Sequence, residues 1–164
     1  MTDPTRDLRA ETGLDVACHI NVLRPDADPA ALPAALALLA DAGYSRVVLP
    51  PLDPRTTDAA ALRAVLAEHG FAPLTIAGGQ GGEADVSSAD PGRRAAGAAI
   101  LREVVDLTVA LGGDQMNGVP YGPFGPPAGP TAAEAIARAA REVGAVADYA
   151  HERGVTMTFE VLNR

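Results

Sequence analysis

Apolar positions along this chain follow two alternating rhythms. Short runs rich in Val, Leu and Ile lie at residues 14–20, 46–50, 71–77 and 155–162, and these, with the short stretch Gln115 to Gly118, read as strands. Between them apolar residues return every three or four positions, the spacing of one face of a helix. The first such set is Leu32, Leu36, Leu39 and Ala40, and the second is Leu62, Val65 and Leu66. The third is Ile100, Leu101, Val104, Val105, Thr108 and Leu111, and the fourth sets Ile136, Val143, Val146 and Tyr149 inward.

Polar residues punctuate these segments. Asp28-Pro29 and Asp90-Pro91 read as a cap followed by proline at the first helical position, Asp58 as a simple cap, and Thr131 with Glu134 as a capping box. The helices close on Gly43, Gly70, Gly112 and Gly154, and an apolar strand follows each within a few residues. Residues 1–13 are polar and are expected to be a loose lead-in, leaving 14–164 as the folded part.

The resulting order is βαβαβαβαβ. Its connections are short, so the expected fold is α/β, with a parallel sheet and right-handed crossovers. Such a sheet is either doubly wound or an arc of a TIM barrel. The unvaried helix-Gly-strand unit and the long loops after strands favour the barrel, with about four and a half of its eight units. A barrel of this kind binds its ligand on the loops that follow the strands.

Two of those loops stand out. Residues 78–82 place four glycines around Gln80, and no helix opens on them as a dinucleotide fingerprint requires. A flexible loop beside a site is favoured over a phosphate cradle. Residues 119–130 form a Pro/Gly loop holding Tyr121 and Phe124, read either as a wall or lid over a pocket or as a stiff surface excursion.

Composition narrows the chemistry. A chain of 164 residues that is 48% hydrophobic but only 4% aromatic must build its core from aliphatic side chains. A formal net charge of −8 argues against nucleic acid or an anionic membrane surface as partner. All 13 basic residues are arginine, so Schiff-base chemistry and a Walker-A lysine are excluded within this sequence. The single cysteine, Cys18, permits no internal disulfide or cysteine-built zinc site and fits a reducing, cytoplasmic setting. No apolar run approaches the length of a membrane span, and the start has no signal-peptide character.

Few residues remain to carry chemistry. Glu160 sits in an apolar, β-branched strand expected to be buried, where a carboxylate needs a partner. It reads either as paired with an arginine at the sheet rim or as a ligand or acid/base group. His19 ends the first strand where a barrel site would open, and Asn117 has a similar place on the fourth. Cys18 alternates to the other face and is expected to pack. His69 and His151 stand at helix C-termini, where dipole and solvent explain them.

Three stretches resemble the sugar isomerase/epimerase superfamily, most specifically its ketose 3-epimerases of the D-tagatose/D-psicose (allulose) type. Glu160-Val161-Leu162-Asn163-Arg164 is similar to that family's Glu-x-x-Asn-Arg signature on the fifth barrel strand. The passage from Asp85 through Ser87, Ser88 and Asp90 to Arg94 and Gly97 resembles its D-x-S-S-x-D…R-x-x-G run. Leu111-Gly112-Gly113 and residues 146–154 fit its helix ends. The resemblance covers about residues 14–164 and only the N-terminal half of a family member.

That resemblance implies a TIM barrel and proton transfer at C3 of a ketose. It makes Glu160 the first of four ligands to a divalent ion (Mn²⁺, Co²⁺ or Mg²⁺) and one of two proton-shuttling carboxylates. The ion would polarise the ketone and neutralise the enediolate. His19 and Asn117 are the candidate sugar contacts. Many relatives carry Glu on the second strand where this chain has Val48, and the Val119–Pro130 loop replaces the family's aromatic cluster. The remaining three ligands would lie beyond Arg164, so the chain alone is expected to be inactive, a truncated half. Two alternatives stand beside this reading: a hydroxypyruvate isomerase-like enzyme, and a non-catalytic half barrel that assembles as a homo-oligomer through bare strand edges.

Overall fold

The computed structural model describes residues 7–78, 80–123 and 132–161. Five strands, β1 (Ala17–His19), β2 (Arg46–Val48), β3 (Ala72–Ala77), β4 (Gln115–Gly118) and β5 (Thr156–Met157), form one sheet in the order β1-β2-β3-β4-β5. Every neighbouring pair is parallel. Sequential strands are therefore always adjacent, with no reversal of order. A doubly wound sheet reverses at its switch point, so this is the arc of a barrel, open rather than closed.

The helices are α1 (Leu8–Thr12), α2 (Leu32–Asp41), α3 (Ala59–Glu68), α4 (Pro91–Leu111) and α5 (Ala133–His151). The helices α2 to α5 supply the side chains that cover one side of the sheet. Val47, Leu49, Ala77 and Met116 alternate to that side and join two continuous clusters. One gathers Leu32, Leu36, Leu39, Leu62, Leu66 and Leu111, and the other Leu101, Val104, Val105, Val143 and Val146. Each fully buried Leu or Val contributes about 1.5–3 kcal/mol. Between β3 and α4 a buried hydroxyl pair, Thr75 Oγ1 to Thr108 Oγ1 at 2.6 Å, forms a polar link in this layer.

The helix-closing glycines Gly43, Gly70, Gly112 and Gly154 all have positive φ, between 72° and 88°. A side chain is strained in that left-handed region, which is why glycine recurs at each helix-to-strand turn.

Several expectations are corrected. Residues 7–13 are not loose: Asp7 accepts the amide hydrogens of Arg9 and Ala10 to cap α1, and Gly13 ends it in the left-handed conformation. The α2 helix starts at Leu32, not at Pro29. Starting at Pro29 would bury Pro33 in the helix interior, where its missing N–H breaks the ladder; the actual start leaves Pro33 in the first turn. Asp28 instead closes the preceding turn through the Ala30 N–H. β1 spans three residues only, and Leu14 is exposed. On α5, Ile136 points outward because Ala135, half-buried, continues the stripe Ala139, Val143, Val146 and Ala150. Ala132 holds the N-cap position of α5 without a side-chain bond, and Thr131 of the expected capping box lies outside the described residues.

The two ends of the sheet differ in character. At the N-terminal end of β2, Arg46 bonds Asp114 and also pairs with Asp15 at 3.3 Å, tying the feet of the strands together. At the C-terminal ends the strands run into loops, and the candidate chemistry lies there.

Candidate functional site

Strand register decides which side chains share a face. His19, Val48, Leu74 and Gln115 stand opposite one another across β1 to β4, and Ile76 stands opposite Asn117. Registered residues of parallel strands project to the same side. This side is not the one bearing Val47 and Met116, so it faces away from the helices. Beyond Met157 the chain stays extended: the Thr158 N–H donates to Met116 O at 2.9 Å and the Glu160 N–H to Gly118 O at 2.8 Å. Alternation then sets Thr158 and Glu160 on the helix-free face with Asn117. All three sequence-derived candidates thus share one face at the C-terminal ends of their strands.

They do not form one tight cluster. His19 on β1 is three strand spacings from β4, roughly 14 Å. Its Nδ1 accepts the Asn21 N–H at 3.2 Å, which starts a 3-10 turn at Ile20–Val22 and leaves Nε2 as the side-chain group for other contacts. Asn117 lies on β4, and Glu160 on the extended segment that follows β5 and bonds to Gly118. Gln115 Nε2 donates to Thr158 Oγ1 at 3.1 Å, and the Thr158 hydroxyl donates to Asn117 Oδ1 at 2.9 Å. That chain of bonds commits the Asn117 oxygen and leaves its amide nitrogen for other contacts.

Glu160 departs from expectation in its surroundings. It was expected in a buried strand, but β5 is an edge, and Glu160 and Val161 are exposed, as is Phe159. Among the described residues its carboxylate forms no ion pair or hydrogen bond. Its carbonyl oxygen accepts the Tyr121 hydroxyl at 2.8 Å. Neither the wall-or-lid reading of the Tyr121 loop nor the surface-excursion reading includes this bond; Phe124 lies outside the described residues. Leu162, Asn163 and Arg164 of the signature also lie outside them.

The Asp85–Gly97 passage is structural in this fold. Asp85 accepts both the N–H and the hydroxyl of Ser87, at 2.8 and 2.6 Å, and Asp90 caps α4 through the Arg93 N–H. Arg94 donates to the carbonyls of Ser88 and Ala89, and Arg138 of α5 donates to that of Ser87. Gln80, in the glycine-rich loop, accepts from the Val86 N–H and donates to Gly97 O. A Cβ at Gly97 would lie 2.8 Å from the Val86 nitrogen, so only glycine allows this loop to lie against α4. These residues bind the loop to two helices.

Cys18 packs against the helix-side core, as alternation predicted, and burial pushes its thiol pKa up, away from a reactive thiolate. A cavity of about 420 Å³, lined in part by Pro51, Leu52, Ile100 and Val104, lies on the helix side under the Arg55–Glu103 ion pair and shares no residue with the candidate face. No helix among the described residues is long and apolar enough to cross a membrane.

For a divalent ion the donor chemistry fits in kind. Glu160 offers a hard oxygen donor past the C-terminal end of β5, with no partner among the described residues. Among the described residues no group of three or more His, Cys, Asp or Glu side chains is placed to complete a coordination shell.

A parallel arc with helices on one side and candidate chemistry at the C-terminal strand ends defines a TIM-barrel protein. The chain belongs to the xylose isomerase-like TIM barrel family, whose model matches residues 36–164. It is 32% identical over 151 residues to a ketose 3-epimerase of Arthrobacter globiformis, covering 92% of this chain and 52% of that protein. An L-ribulose 3-epimerase of Methylomonas sp. (strain DH-1) is 33% identical over the same shares. A crystal structure of D-allulose 3-epimerase from Methylomonas sp. in complex with D-allulose superposes with a TM-score of 0.84 at 33% identity, covering 92% of this chain and 52% of that one. The chain spans about half the length of the curated relatives it matches.

Proposed function

We propose that this chain supplies the N-terminal half of a metal-dependent ketose 3-epimerase, and that Glu160 is both a metal ligand and a proton-transfer carboxylate in it. The observation that carries the reading is the state of Glu160. Its carboxylate is solvent-accessible and has no partner among the described residues, at the C-terminal end of a strand and on the helix-free face. That placement matches the C-terminal strand ends where a barrel of this kind carries its site.

Glu160 would hold the divalent ion together with donors from the missing half, and the bound ion would polarise the ketose carbonyl. The chain's own residues have narrower tasks. The Glu160 carboxylate takes or returns the proton at C3. Asn117, with its oxygen committed to Thr158, offers N–H donors to a sugar oxygen. His19, with Nδ1 committed to the Asn21 amide, offers Nε2–H to a hydroxyl farther along the substrate. Val48, on the same face, supplies apolar contact and no hydrogen bond.

One carboxylate cannot both remove a proton from one face and return it to the other, so the chain alone should not epimerise. The assay is C3 epimerisation of a ketohexose with Mn²⁺ in ²H₂O. We expect no turnover and no deuterium at C3 from the 164-residue chain. Turnover by the chain alone would overturn the half-site reading. When the missing half is supplied, Glu160→Gln should abolish activity; full activity in that variant would remove Glu160 from the mechanism.

The sheet's outer strands favour a second reading. β1 and β5 are edges of the described sheet, and edges recruit other strands. A homo-oligomer closed through them, in a cytoplasmic setting, predicts a dimer or larger species in sedimentation, and a clean monomer would rule it out.

A further inference from the structure

We infer that Tyr121 is a positioning residue for Glu160, its phenol replacing a ladder hydrogen bond that Pro120 cannot make. The inference rests on the proposed role of Glu160 as a ligand. In a parallel ladder, each registered residue donates its N–H to the strand residue before its opposite and accepts from the one after it. On β4 and β5 that pattern runs Thr156 N–H to Asp114 O, Thr158 N–H to Met116 O and Glu160 N–H to Gly118 O. The donor due at the Glu160 carbonyl is the backbone nitrogen of residue 120. That residue is proline, which has no N–H.

The ladder would therefore end with the Glu160 carbonyl unpaired, on an edge strand with no neighbour among the described residues on its other side. Tyr121, the next residue, supplies the donor instead: its hydroxyl reaches the Glu160 carbonyl oxygen at 2.8 Å. The peptide units on both sides of the Glu160 Cα are thereby held, one by Gly118 and the other by Tyr121. Fixing both restricts φ and ψ of Glu160 and so the direction in which its carboxylate projects. The bond also ties the first turn of the β4–α5 loop to β5, which places the Tyr121 ring beside the candidate face.

The test uses the full chain as wild type, Tyr121→Phe and Glu160→Gln, with two residue-resolved readouts. Amide hydrogen exchange reports the strand end, and Mn²⁺-induced broadening of amide signals reports the ion at Glu160. Tyr121→Phe keeps the ring and removes only the hydroxyl. It should speed exchange of the Glu160 amide about tenfold, leave that of Thr156 unchanged, and weaken Mn²⁺ broadening around Glu160 about tenfold. Unchanged Glu160 exchange in Tyr121→Phe would overturn the inference whatever the metal does. Faster exchange with unchanged broadening, when Glu160→Gln abolishes that broadening, would overturn the positioning role alone. Broadening that survives Glu160→Gln would instead overturn the ligand reading on which the inference rests.

Discussion

The hydroxyl of Thr158 lies 2.9 Å from the side-chain oxygen of Asn117 and accepts in turn from Gln115, so the residue just past β5 sets the orientation of a β4 amide on the candidate face. Neither partner is charged, and both are half-buried. The bond is therefore worth more as an orienting device than as a source of stability.

Thr158→Val tests this relationship. Losing the hydroxyl should cost about 1–2 kcal/mol in a urea unfolding series, because two half-buried amides lose a partner. The Asn117 side-chain NH₂ signals should also shift and broaden as the amide becomes free to rotate. Unchanged signals would show that Thr158 does not set the amide.

Gly97→Ala should destabilise the chain by about 1–3 kcal/mol through overpacking. Its Cβ would meet the Val86 nitrogen at 2.8 Å and Gln80 Oε1 at 3.0 Å, and Val86 is fully buried. Equilibrium unfolding checks the magnitude. An alanine tolerated at no cost would mean that the Gln80–Val86 segment is free to move off α4.

The Thr75–Thr108 pair should respond asymmetrically. Thr108 Oγ1 also donates to Val104 O at 2.7 Å, so its hydroxyl keeps a partner when Thr75 becomes Val. Thr108→Val instead leaves the buried Thr75 hydroxyl unsatisfied, at a cost of about 1–3 kcal/mol. Thermal unfolding of the two variants should rank Thr108→Val as the less stable, and the reverse order would contradict the geometry.

Asp90 gives a pH-dependent signature. Hydrogen bonds from the Arg93 and Gly92 amides, helped by the Arg93 and Arg94 charges, hold its carboxyl below the usual Asp range. A lowered folded-state pKa contributes stability that is present above the unfolded value, near 3.9, and is lost as pH falls through the folded one. Asp90→Asn keeps a capping oxygen but does not titrate. Wild-type Tm should therefore fall faster than that of Asp90→Asn below about pH 4, and parallel curves would show that the cap charge does not matter.

Much of the architecture could be read from local pattern. Period-2 and period-3.6 apolar runs marked five strands and the four long helices, and the glycines at 43, 70, 112 and 154 marked the turns, because backbone conformation and burial of one face are local demands. The resemblance carried by Glu160 and by the Asp85–Gly97 passage pointed to the family. What pattern could not supply was environment. Glu160 sits in an apolar run, yet no described residue covers it, because burial of a strand depends on what lies beside it and, among the described residues, β5 has a neighbour on one side only. Ile136 has the right spacing for a core position and points outward, since the stripe's phase is set by where α5 meets the sheet.

Sequence by itself determined the order of elements, the parallel sheet, the lysine-free chemistry and the identity of the candidate side chains. Only tertiary structure decided which of them share a face. Register across four parallel pairs brought His19, Asn117 and Glu160 to the helix-free side, and the ladder geometry at Pro120 made Tyr121 the partner of Glu160. The physical reason is that both relationships are hydrogen bonds and projections between segments far apart in the chain, which no local spacing encodes.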